Sequence, residues 1–189
     1  MNLPAIGDSA PQRGQGPIEI ALFSYVQCQE CKDVTKGVSD FVQKNPKYYK
    51  LSYVFNFPAN NNEERRVAEA ALCIKKQNDD FFWKLPEQLV KDEKIALEES
   101  INNAAKGVGS NYEEFRSCFL AREFKDAVEA HIQGTKELGF FRSPVVVMDG
   151  FVYETPTAED LIDRARDLKA EKGLGFNFFY NLKKKLFGS

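Results

Sequence analysis

Apolar runs typical of strands occur in the first third of the chain and again after residue 140, and a long stretch with helical periodicity separates the two regions. Residues 18–26 form a β-branched and aromatic run that fits a strand buried on both faces. Residues 49–57 alternate like a second strand, which stops at Pro58. Between these runs, apolar residues recur at helical spacing from Val34 to Val42. The order predicts two parallel strands joined by a right-handed helical crossover.

The middle of the chain, residues 61–139, shows helical stripes and no convincing strand pattern. One apolar stripe covers residues 67–74. A second stripe covers residues 81–89 and predicts a helix that tolerates Pro86 near its start. We expect Trp83, within this second stripe, to belong to the core rather than to a binding surface.

Capping signals predict two further helices in the same segment. Asn111, followed three residues later by Glu114, is typical of a helix start. Another helix holds His131 and ends before Gly139, the usual place of a terminating glycine. We expect His131 to be a partly exposed residue of that helix.

Strand signals return after residue 140. Pro144 opens a run of valines, and Asp149-Gly150 separates this run from another apolar segment, a strong hairpin signal. Thr157 begins a last amphipathic helix. The pattern therefore predicts an α/β domain with an all-helical insert. Its parts are an irregular lead-in (1–17), a discontinuous sheet domain (18–60 and 140–171), the insert (61–139) and an aromatic, basic tail (172–189).

Composition excludes several classes of function. The 189 residues include 26 basic and 28 acidic side chains, a net charge of −2, which argues against nucleic acid as a partner. The single histidine excludes zinc sites with three histidine ligands. No apolar run approaches the roughly 20 residues that span a bilayer. The first residues lack the features of an export signal, so the chain is either cytoplasmic or shown without its targeting segment.

The chemistry-bearing motif is Cys28-Gln29-Glu30-Cys31, placed where a strand leads into a helix. Unpaired backbone amides and the helix dipole favour a thiolate there, which lowers the pKa of Cys28 and makes it a nucleophile. Cys31, one turn away, can resolve a mixed disulfide. The same spacing also occurs in half of a zinc knuckle or in a clip for a soft metal, although a knuckle needs a second such pair.

Four segments together resemble the DsbA-like thiol–disulfide oxidoreductases of the thioredoxin superfamily, and they span about residues 5–170. They are residues 5–8 leading to 20–31, residues 54–58 followed by 67–73, residues 80–83, and residues 140–150. The resemblance implies a thioredoxin-like fold with an all-helical insert and protein thiol–disulfide exchange as the activity. It implies no cofactor beyond the redox-active disulfide and no metal.

The resemblance also implies residue roles. Cys28 becomes the nucleophile and Cys31 the resolving cysteine. Ser143–Pro144 becomes a cis peptide bond beside the CxxC motif, and the backbone before the proline pairs with an extended substrate. The implied residues of the active-site loops are Gln29, Glu30, Ser143 and Pro144.

Partners and location follow from the same resemblance. The expected substrates are cysteine-containing proteins, and the expected redox partner is a membrane oxidase or a thiol reductase. The expected location is periplasmic or otherwise extracytoplasmic, or tethered to a membrane, with the cytoplasm left open. The tail at residues 175–189 either packs on the domain or acts as an interfacial membrane anchor, since it combines aromatic residues with a lysine cluster.

Two residues between the cysteines depart from the family pattern. Gln29 stands where proline is usual, and Glu30 stands where strong oxidants have histidine. A nearby carboxylate disfavours a thiolate, whereas histidine can stabilise it. We therefore expect Cys28 to be less acidic, and the redox couple more reducing, than in the strongest oxidants.

A third departure concerns proton transfer. Leu22 occupies the strand position where many relatives bury an acid that accepts the proton of the resolving thiol. The deprotonation route of Cys31 therefore stays open between Glu19 and a chain of waters.

Cys73 and Cys118 lie on apolar stripes of two helices of the insert. They are either independent buried thiols that act as small hydrophobic side chains, or a structural disulfide, a pairing that similar helical inserts also contain.

Two alternatives to a disulfide oxidant remain. One is a disulfide reductase or isomerase of the same fold, which Glu30 favours. The other is a metallochaperone that binds Cu(I) or Zn(II) through Cys28 and Cys31, since thiolates suit both ions.

Overall fold

The computed structural model describes residues 9–89 and 97–174 of the chain. The segment Ala5–Asp8 and the tail at residues 175–189, which sequence analysis singled out, lie outside the described residues. The described elements, in chain order, are β1 (Gln12–Arg13), β2 (Ile18–Ser24), α1 (Lys32–Lys44), β3 (Tyr49–Phe55), α2 (Asn62–Gln77), α3 (Asp79–Leu89), α4 (Leu97–Gly107), α5 (Tyr112–Leu120), α6 (Lys125–Glu137), β4 (Val145–Met148), β5 (Phe151–Glu154) and α7 (Ala158–Glu171).

The strands form one mixed sheet in the order β1-β3-β2-β4-β5. The predicted parallel pair is present: β2 and β3 run in register from Ile18 opposite Tyr49 to Ser24 opposite Phe55. The predicted hairpin is also present, since β4 and β5 are antiparallel and the turn residues Asp149 and Gly150 both have positive φ. The fold is the predicted thioredoxin-like arrangement.

The central strand β2 is covered on both faces. Ile18, Ile20 and Leu22 belong to the larger core, which continues into α1, α7 and the helices of the insert. Ala21 and Phe23 face a smaller cluster on the opposite side of the sheet. This two-sided burial explains why the sequence of β2 is apolar almost throughout.

A glycine inside α1 has a packing role. A Cβ atom added at Gly37 would lie 2.6 Å from the Cβ of Ala158 at the start of α7. The absence of a side chain therefore allows the two helices to approach closely over the sheet, which offsets the lower helix propensity of glycine.

The insert consists of α2 to α6, and a disulfide between Cys73 in α2 and Cys118 in α5 crosslinks it, with a Cα–Cα distance of 5.8 Å. Both cysteines are buried in the large core. Within residues 9–89 and 97–174, none of the helices has the length and apolar character that crossing a membrane requires.

Several element boundaries differ from the sequence prediction. β2 ends at Ser24 rather than Val26, and β3 ends at Phe55 rather than Phe57. In both cases the apolar pattern continues into buried loop residues, so burial persists after strand pairing stops. The lead-in contains the short strand β1, and the insert contains α4, neither of which was predicted.

The predicted position of Pro86 near a helix start was wrong. α3 begins at Asp79, before the apolar stripe, and the side chain of Asn78 accepts a hydrogen bond from the Asp80 amide at 2.8 Å. Pro86 therefore lies in the last half of the helix. Trp83 is half-buried and packs against Phe82, with ring centroids 5.0 Å apart, in agreement with a core role.

The expectation of a partly exposed His131 was also wrong, because the residue is fully buried. Its Nδ1 accepts the Phe55 backbone N–H at 3.1 Å, and its Nε2 lies 2.9 Å from the Ser9 hydroxyl. β1 pairs only with Leu51 and Ser52 of β3 and does not extend to Phe55. The imidazole therefore provides the hydrogen-bond acceptor that the buried Phe55 amide would otherwise lack. Burial lowers the pKa of His131 to about 4.

We predict that His131→Asn removes a pH-dependent part of the stability. A histidine whose pKa falls from 6.5 to about 4 on folding stabilises the native state fully above pH 6.5 and progressively less as the pH falls. The advantage of the wild type over His131→Asn should therefore shrink by about 3 kcal/mol between pH 7 and pH 4. Urea unfolding at both values measures it. An advantage independent of pH would contradict the prediction.

We also predict that replacing Cys73 and Cys118 together by alanine lowers the free energy of unfolding. The disulfide closes a loop with a sequence separation of 45 residues. Closing a loop of that size stabilises by about 4 kcal/mol in the chain-entropy model. Guanidinium unfolding of the oxidised proteins measures the difference, with Cys28–Cys31 intact in both. A loss below about 1 kcal/mol would contradict the assignment of a stabilising crosslink.

Candidate active site

The CxxC motif lies in the turn that joins β2 to α1. Cys28 and Cys31 form a disulfide with a Cα–Cα distance of 5.2 Å. The Cys28 N–H donates to the Tyr25 carbonyl at 3.2 Å, and the Cys31 N–H to the Cys28 carbonyl at 3.2 Å. Both cysteines are nearly covered, with exposed fractions of 3% and 1%. The turn therefore holds the two sulfurs at a fixed separation beneath the surface.

The electrostatic setting favours charge on Cys28. α1 begins at Lys32 with Cys31 as its N-cap, so Cys28 precedes the helix by one turn. The Cys31 amide lies 3.1 Å from the Sγ atom of Cys28. This donor and the positive end of the helix dipole would both stabilise a thiolate on Cys28 after the disulfide opens.

The two residues between the cysteines, Gln29 and Glu30, are exposed to solvent. The side-chain oxygen of Gln29 accepts a hydrogen bond from the Lys32 ammonium. Because Glu30 is exposed, it adds a negative charge at the surface of the turn, where an approaching substrate would meet it.

The predicted cis-proline loop lies at the same end of β2 as the CxxC turn. β4 pairs antiparallel with β2, with Val145 opposite Phe23, so Pro144 is next to the end of β2 that leads to Cys28. The Ser143–Pro144 peptide bond is cis. Ser143 is half-buried, and the residue before it is exposed. The fold thus brings the two predicted site segments together from distant parts of the sequence.

Asn56 is a site residue that sequence analysis did not identify. It is buried directly after β3, and its side-chain amide donates to the Arg142 carbonyl at 2.6 Å. The Ser143 hydroxyl donates to the Asn56 carbonyl at 2.7 Å, and the Asn56 N–H donates to the Ser24 carbonyl at 2.7 Å. Asn56 thus fastens the cis-proline loop to the ends of β2 and β3. The sequence feature that could have indicated Asn56 is a polar residue between two phenylalanines, Phe55 and Phe57, both of which are buried.

Glu19 is unsuited as a proton acceptor for Cys31, contrary to one expectation from the sequence. It is exposed at the beginning of β2, the end opposite the cysteines, and it forms an ion pair with Lys50 at 3.3 Å. Leu22 is fully buried in the large core, as its apolar side chain requires. β2 therefore provides no acid near the disulfide.

A buried acid is instead present in the first turn of α2. Glu64 is 2% exposed, and its Oε2 is the one buried side-chain nitrogen or oxygen without a hydrogen-bond partner among the described residues. Burial raises the pKa of Glu64 to about 7, although a hydrogen bond from the Gln27 backbone opposes this shift. Sequence analysis missed this residue because a glutamate near a helix N-terminus usually serves only the helix dipole.

Two cavities adjoin the motif. One of about 10 Å³ touches both cysteines, and Tyr25, Tyr53 and Pro86 are among the residues that line it. A larger groove of about 560 Å³ lies between α1 and α3 and has basic and acidic residues in its lining. Among residues 9–89 and 97–174, no group of three or more His, Cys, Asp or Glu side chains is arranged to hold a metal ion.

Comparisons with known proteins agree with this architecture. A family model described as thioredoxin matches residues 10–165. Comparison with curated protein sequences finds no match. Among solved structures, the thiol-disulfide exchange protein alpha-DsbA2 from Wolbachia pipientis is 17% identical, with a TM-score of 0.71 over 87% of this chain and 90% of that one.

Two further structures are similar. DsbA from Chlamydia trachomatis is 19% identical, with a TM-score of 0.68 over 85% of this chain and 93% of that one. A periplasmic thioredoxin-like protein from Salmonella enterica serovar Typhimurium is 17% identical, with a TM-score of 0.65 over 87% and 93% of the two chains. At these identities, the structures establish the shared fold.

We predict that Asn56→Ala lowers the free energy of unfolding by about 1–2 kcal/mol, because it removes the side-chain amide that satisfies the partly buried Arg142 carbonyl. Asn60→Ala is the matched control, since Asn60 is an exposed asparagine in the next loop. It should change the stability by less than about 0.5 kcal/mol. Chemical unfolding measures both, and equal effects would contradict the role of Asn56.

Proposed function

The chain belongs to the thioredoxin family, and from this premise we propose that it exchanges disulfides with cysteine-containing proteins through Cys28 and Cys31. One observation carries the proposal. The Cys28–Cys31 disulfide lies just before the N-terminus of α1, with the Cys31 amide directed at the Cys28 sulfur. A thiolate released at Cys28 is therefore stabilised, whereas Cys31 lies behind it in the core.

The exchange proceeds in two steps. A substrate thiolate attacks the Cys28 sulfur of the oxidised protein, which forms a mixed disulfide and releases Cys31 as the leaving thiolate. A second substrate thiolate then attacks the substrate sulfur of the mixed disulfide and releases Cys28. The substrate gains a disulfide, and the protein is left with two reduced cysteines. The reverse sequence, in which Cys31 attacks the mixed disulfide, reduces a substrate.

The cis-proline loop supports binding of an extended substrate. Arg142 is exposed and Ser143 half-buried, and Asn56 holds this segment at the sheet edge near the CxxC turn. Backbone pairing of a substrate strand with the segment before Pro144 would bring a substrate cysteine towards Cys28. Pairing through the backbone requires little of the substrate sequence, which suits an enzyme that acts on many proteins.

We propose an oxidising, extracytoplasmic location. The structure has two disulfides, and the Cys73–Cys118 bond forms and persists most readily outside the cytosol. The similar Salmonella structure is of a periplasmic protein. The catalytic couple must be regenerated after each turnover, so the proposal includes a redox partner, either a membrane oxidase or a thiol reductase.

The direction of electron flow depends on the stability of the Cys28 thiolate. Glu30 is exposed in the turn, and its negative charge disfavours that thiolate relative to a turn with histidine at this position. This observation favours a couple more reducing than that of the strongest oxidants, and it keeps a reductase or isomerase as the second candidate. Equilibration with a glutathione buffer separates the two, since strong oxidants have potentials of about −120 mV and reductases about −270 mV.

We predict that Cys31→Ser accumulates a mixed disulfide with glutathione at Cys28, and that Cys28→Ser accumulates none. In the first variant the nucleophile remains and the resolving thiol is lost, whereas in the second the partner left behind is the covered Cys31. Mass spectrometry of samples quenched with acid after incubation with oxidised glutathione measures the adducts.

The Cys73→Ala/Cys118→Ala protein is the control and should exchange like the wild type. An adduct at Cys31 in preference to Cys28 would contradict the assigned roles. A reduced wild type that binds one Cu(I) tightly yet exchanges no disulfide would instead support a metallochaperone.

A further inference from the structure

The resolving step needs a base that the CxxC turn does not itself contain. Cys31 is 1% exposed, so its thiol has little access to bulk water. A thiol must lose its proton before it can attack a mixed disulfide, because the thiolate is the nucleophile. An ordinary cysteine has a pKa of about 8.5, and burial without a compensating charge raises it further. A proton acceptor close to the site would remove this limitation.

Glu64 reaches the neighbourhood of the disulfide because of the sheet topology. β2 and β3 are parallel and end side by side, with Ser24 opposite Phe55. The chain after β3 therefore returns beside the turn that contains Cys28. Asn61 caps α2 there by accepting the Glu64 amide at 3.0 Å, which places the Glu64 side chain in the first turn, next to the active-site loop.

Two tyrosines lie close to both the carboxyl group and the sulfurs. Tyr25 and Tyr53 line the small cavity that touches Cys28 and Cys31. The negative charge of Glu64 raises the pKa of both tyrosines, in addition to the larger effect of burial. Both phenols therefore lie beside the disulfide and within electrostatic reach of the carboxyl group, and the hydroxyl group of each can donate and accept a proton.

The state of the Glu64 carboxyl group suits proton exchange. Its Oε2 is buried without a partner among the described residues, so the ionised form lacks one of the contacts that a buried carboxylate requires. The hydrogen bond from Gln27 favours ionisation, but burial outweighs it and sets the pKa at about 7. A group with such a pKa can both accept and return a proton near neutral pH.

We propose that Glu64 is the proton acceptor for Cys31 during the resolving step and returns the proton when the Cys28–Cys31 disulfide is opened. Glu64 exchanges this proton through the hydroxyl groups of Tyr25 and Tyr53. It is therefore a positioning residue that acts through other side chains and does not itself contact the reacting sulfurs. It performs the task that the apolar Leu22 cannot perform from the neighbouring strand. The inference rests on the proposed thiol–disulfide exchange.

The resolving step forms one sulfur–sulfur bond and breaks another. The Cys31 sulfur forms a bond with the Cys28 sulfur, and the bond between Cys28 and the substrate sulfur breaks with both electrons on the leaving thiolate. The proton of the Cys31 thiol moves through a tyrosine hydroxyl to the Glu64 carboxylate. It passes later to the leaving thiolate or to solvent. No other oxidant or reductant is required.

The charged and titratable groups around Glu64 determine whether the rate of the resolving step rises or falls with pH. Glu63, in the same turn of α2, raises the pKa of Glu64 by repulsion. Tyr25, after β2, and Tyr53, on β3, are neutral in this range because burial raises the pKa of each. Glu30 adds a further negative charge close enough to act on Tyr25. Ionisation of Glu64 as the pH rises should therefore accelerate the resolving step.

The test measures the resolving step alone. Reduced protein is mixed with oxidised glutathione, and the decay of the Cys28–glutathione adduct is followed by acid quench and mass spectrometry from pH 5 to pH 9. In the wild type, the rate should rise with a midpoint near the pKa of Glu64, about 7, and then level off. In Glu64→Gln, it should be about tenfold slower at pH 7 and still be rising above about pH 8.5, because a buried thiol without a nearby base ionises no earlier than an ordinary cysteine.

Glu63→Gln is the matched control, because it removes an exposed carboxylate from the same helical turn. It also removes a repulsion that raises the pKa of Glu64, so the rate should rise and level off as in the wild type, with its midpoint at a slightly lower pH. Glutamine keeps an acceptor for the Gln27 amide, and thermal melting verifies that Glu64→Gln is folded. If Glu64→Gln has the same pH profile as the wild type, even at a uniformly altered rate, the proposal is overturned. If Cys31→Ser forms no adduct with glutathione and the wild type exchanges no disulfide, it is the proposed function that fails.

Discussion

The two-sided burial of β2 is the constraint on which the rest of the structure depends. Because β2 pairs with β3 on one side and β4 on the other, and packs on both faces, its register is fixed by every neighbour. Its end at Ser24 therefore has a defined position, and the turn to Cys28 starts from it. The same register brings Pro144 and the chain after Phe55 to that edge. A shift of one residue would exchange the side chains that face the two cores, turn the exposed Glu19 towards the large core and disperse the site.

Buried polar groups at the ends of β2 and β3 hold the loops of the active site in place. Asn56 connects the ends of β2 and β3 with the cis-proline loop through three hydrogen bonds, and His131 satisfies the neighbouring amide of Phe55. His131 replaces a contact that strand pairing would supply in the interior of a sheet, since β1 covers only two residues at the edge of β3. The helical insert is therefore part of the site, because α6 contributes His131 and α2 contributes Glu64.

Patterns of short range were predictable, and contacts between distant polar residues were not. The CxxC turn, the parallel pair, the Asp149-Gly150 hairpin and the Asn111 cap each depend on neighbours in sequence, and each is present. β1 was missed because two residues give no periodicity. His131 was misjudged although it lies on the same helical stripe as the buried Val128, because its polarity was weighted above its position. The role of Glu64 depends on which loop packs over α2, which no local pattern contains.

The two buried titratable groups act on stability with opposite signs. His131, with its pKa lowered from 6.5 to about 4, costs stability as the pH falls through this range. Glu64, with its pKa raised from 4.5 to about 7, costs stability as the pH rises. The two windows overlap, and the slopes there are similar and opposite, so their sum is nearly independent of pH between about 4.5 and 6.5. A flat stability profile of the wild type would thus conceal two large contributions. Because each shift disfavours the folded state, the flat region is a constant penalty rather than a cancellation, and it must be offset by interactions that do not titrate, such as the apolar cores on both faces of the sheet.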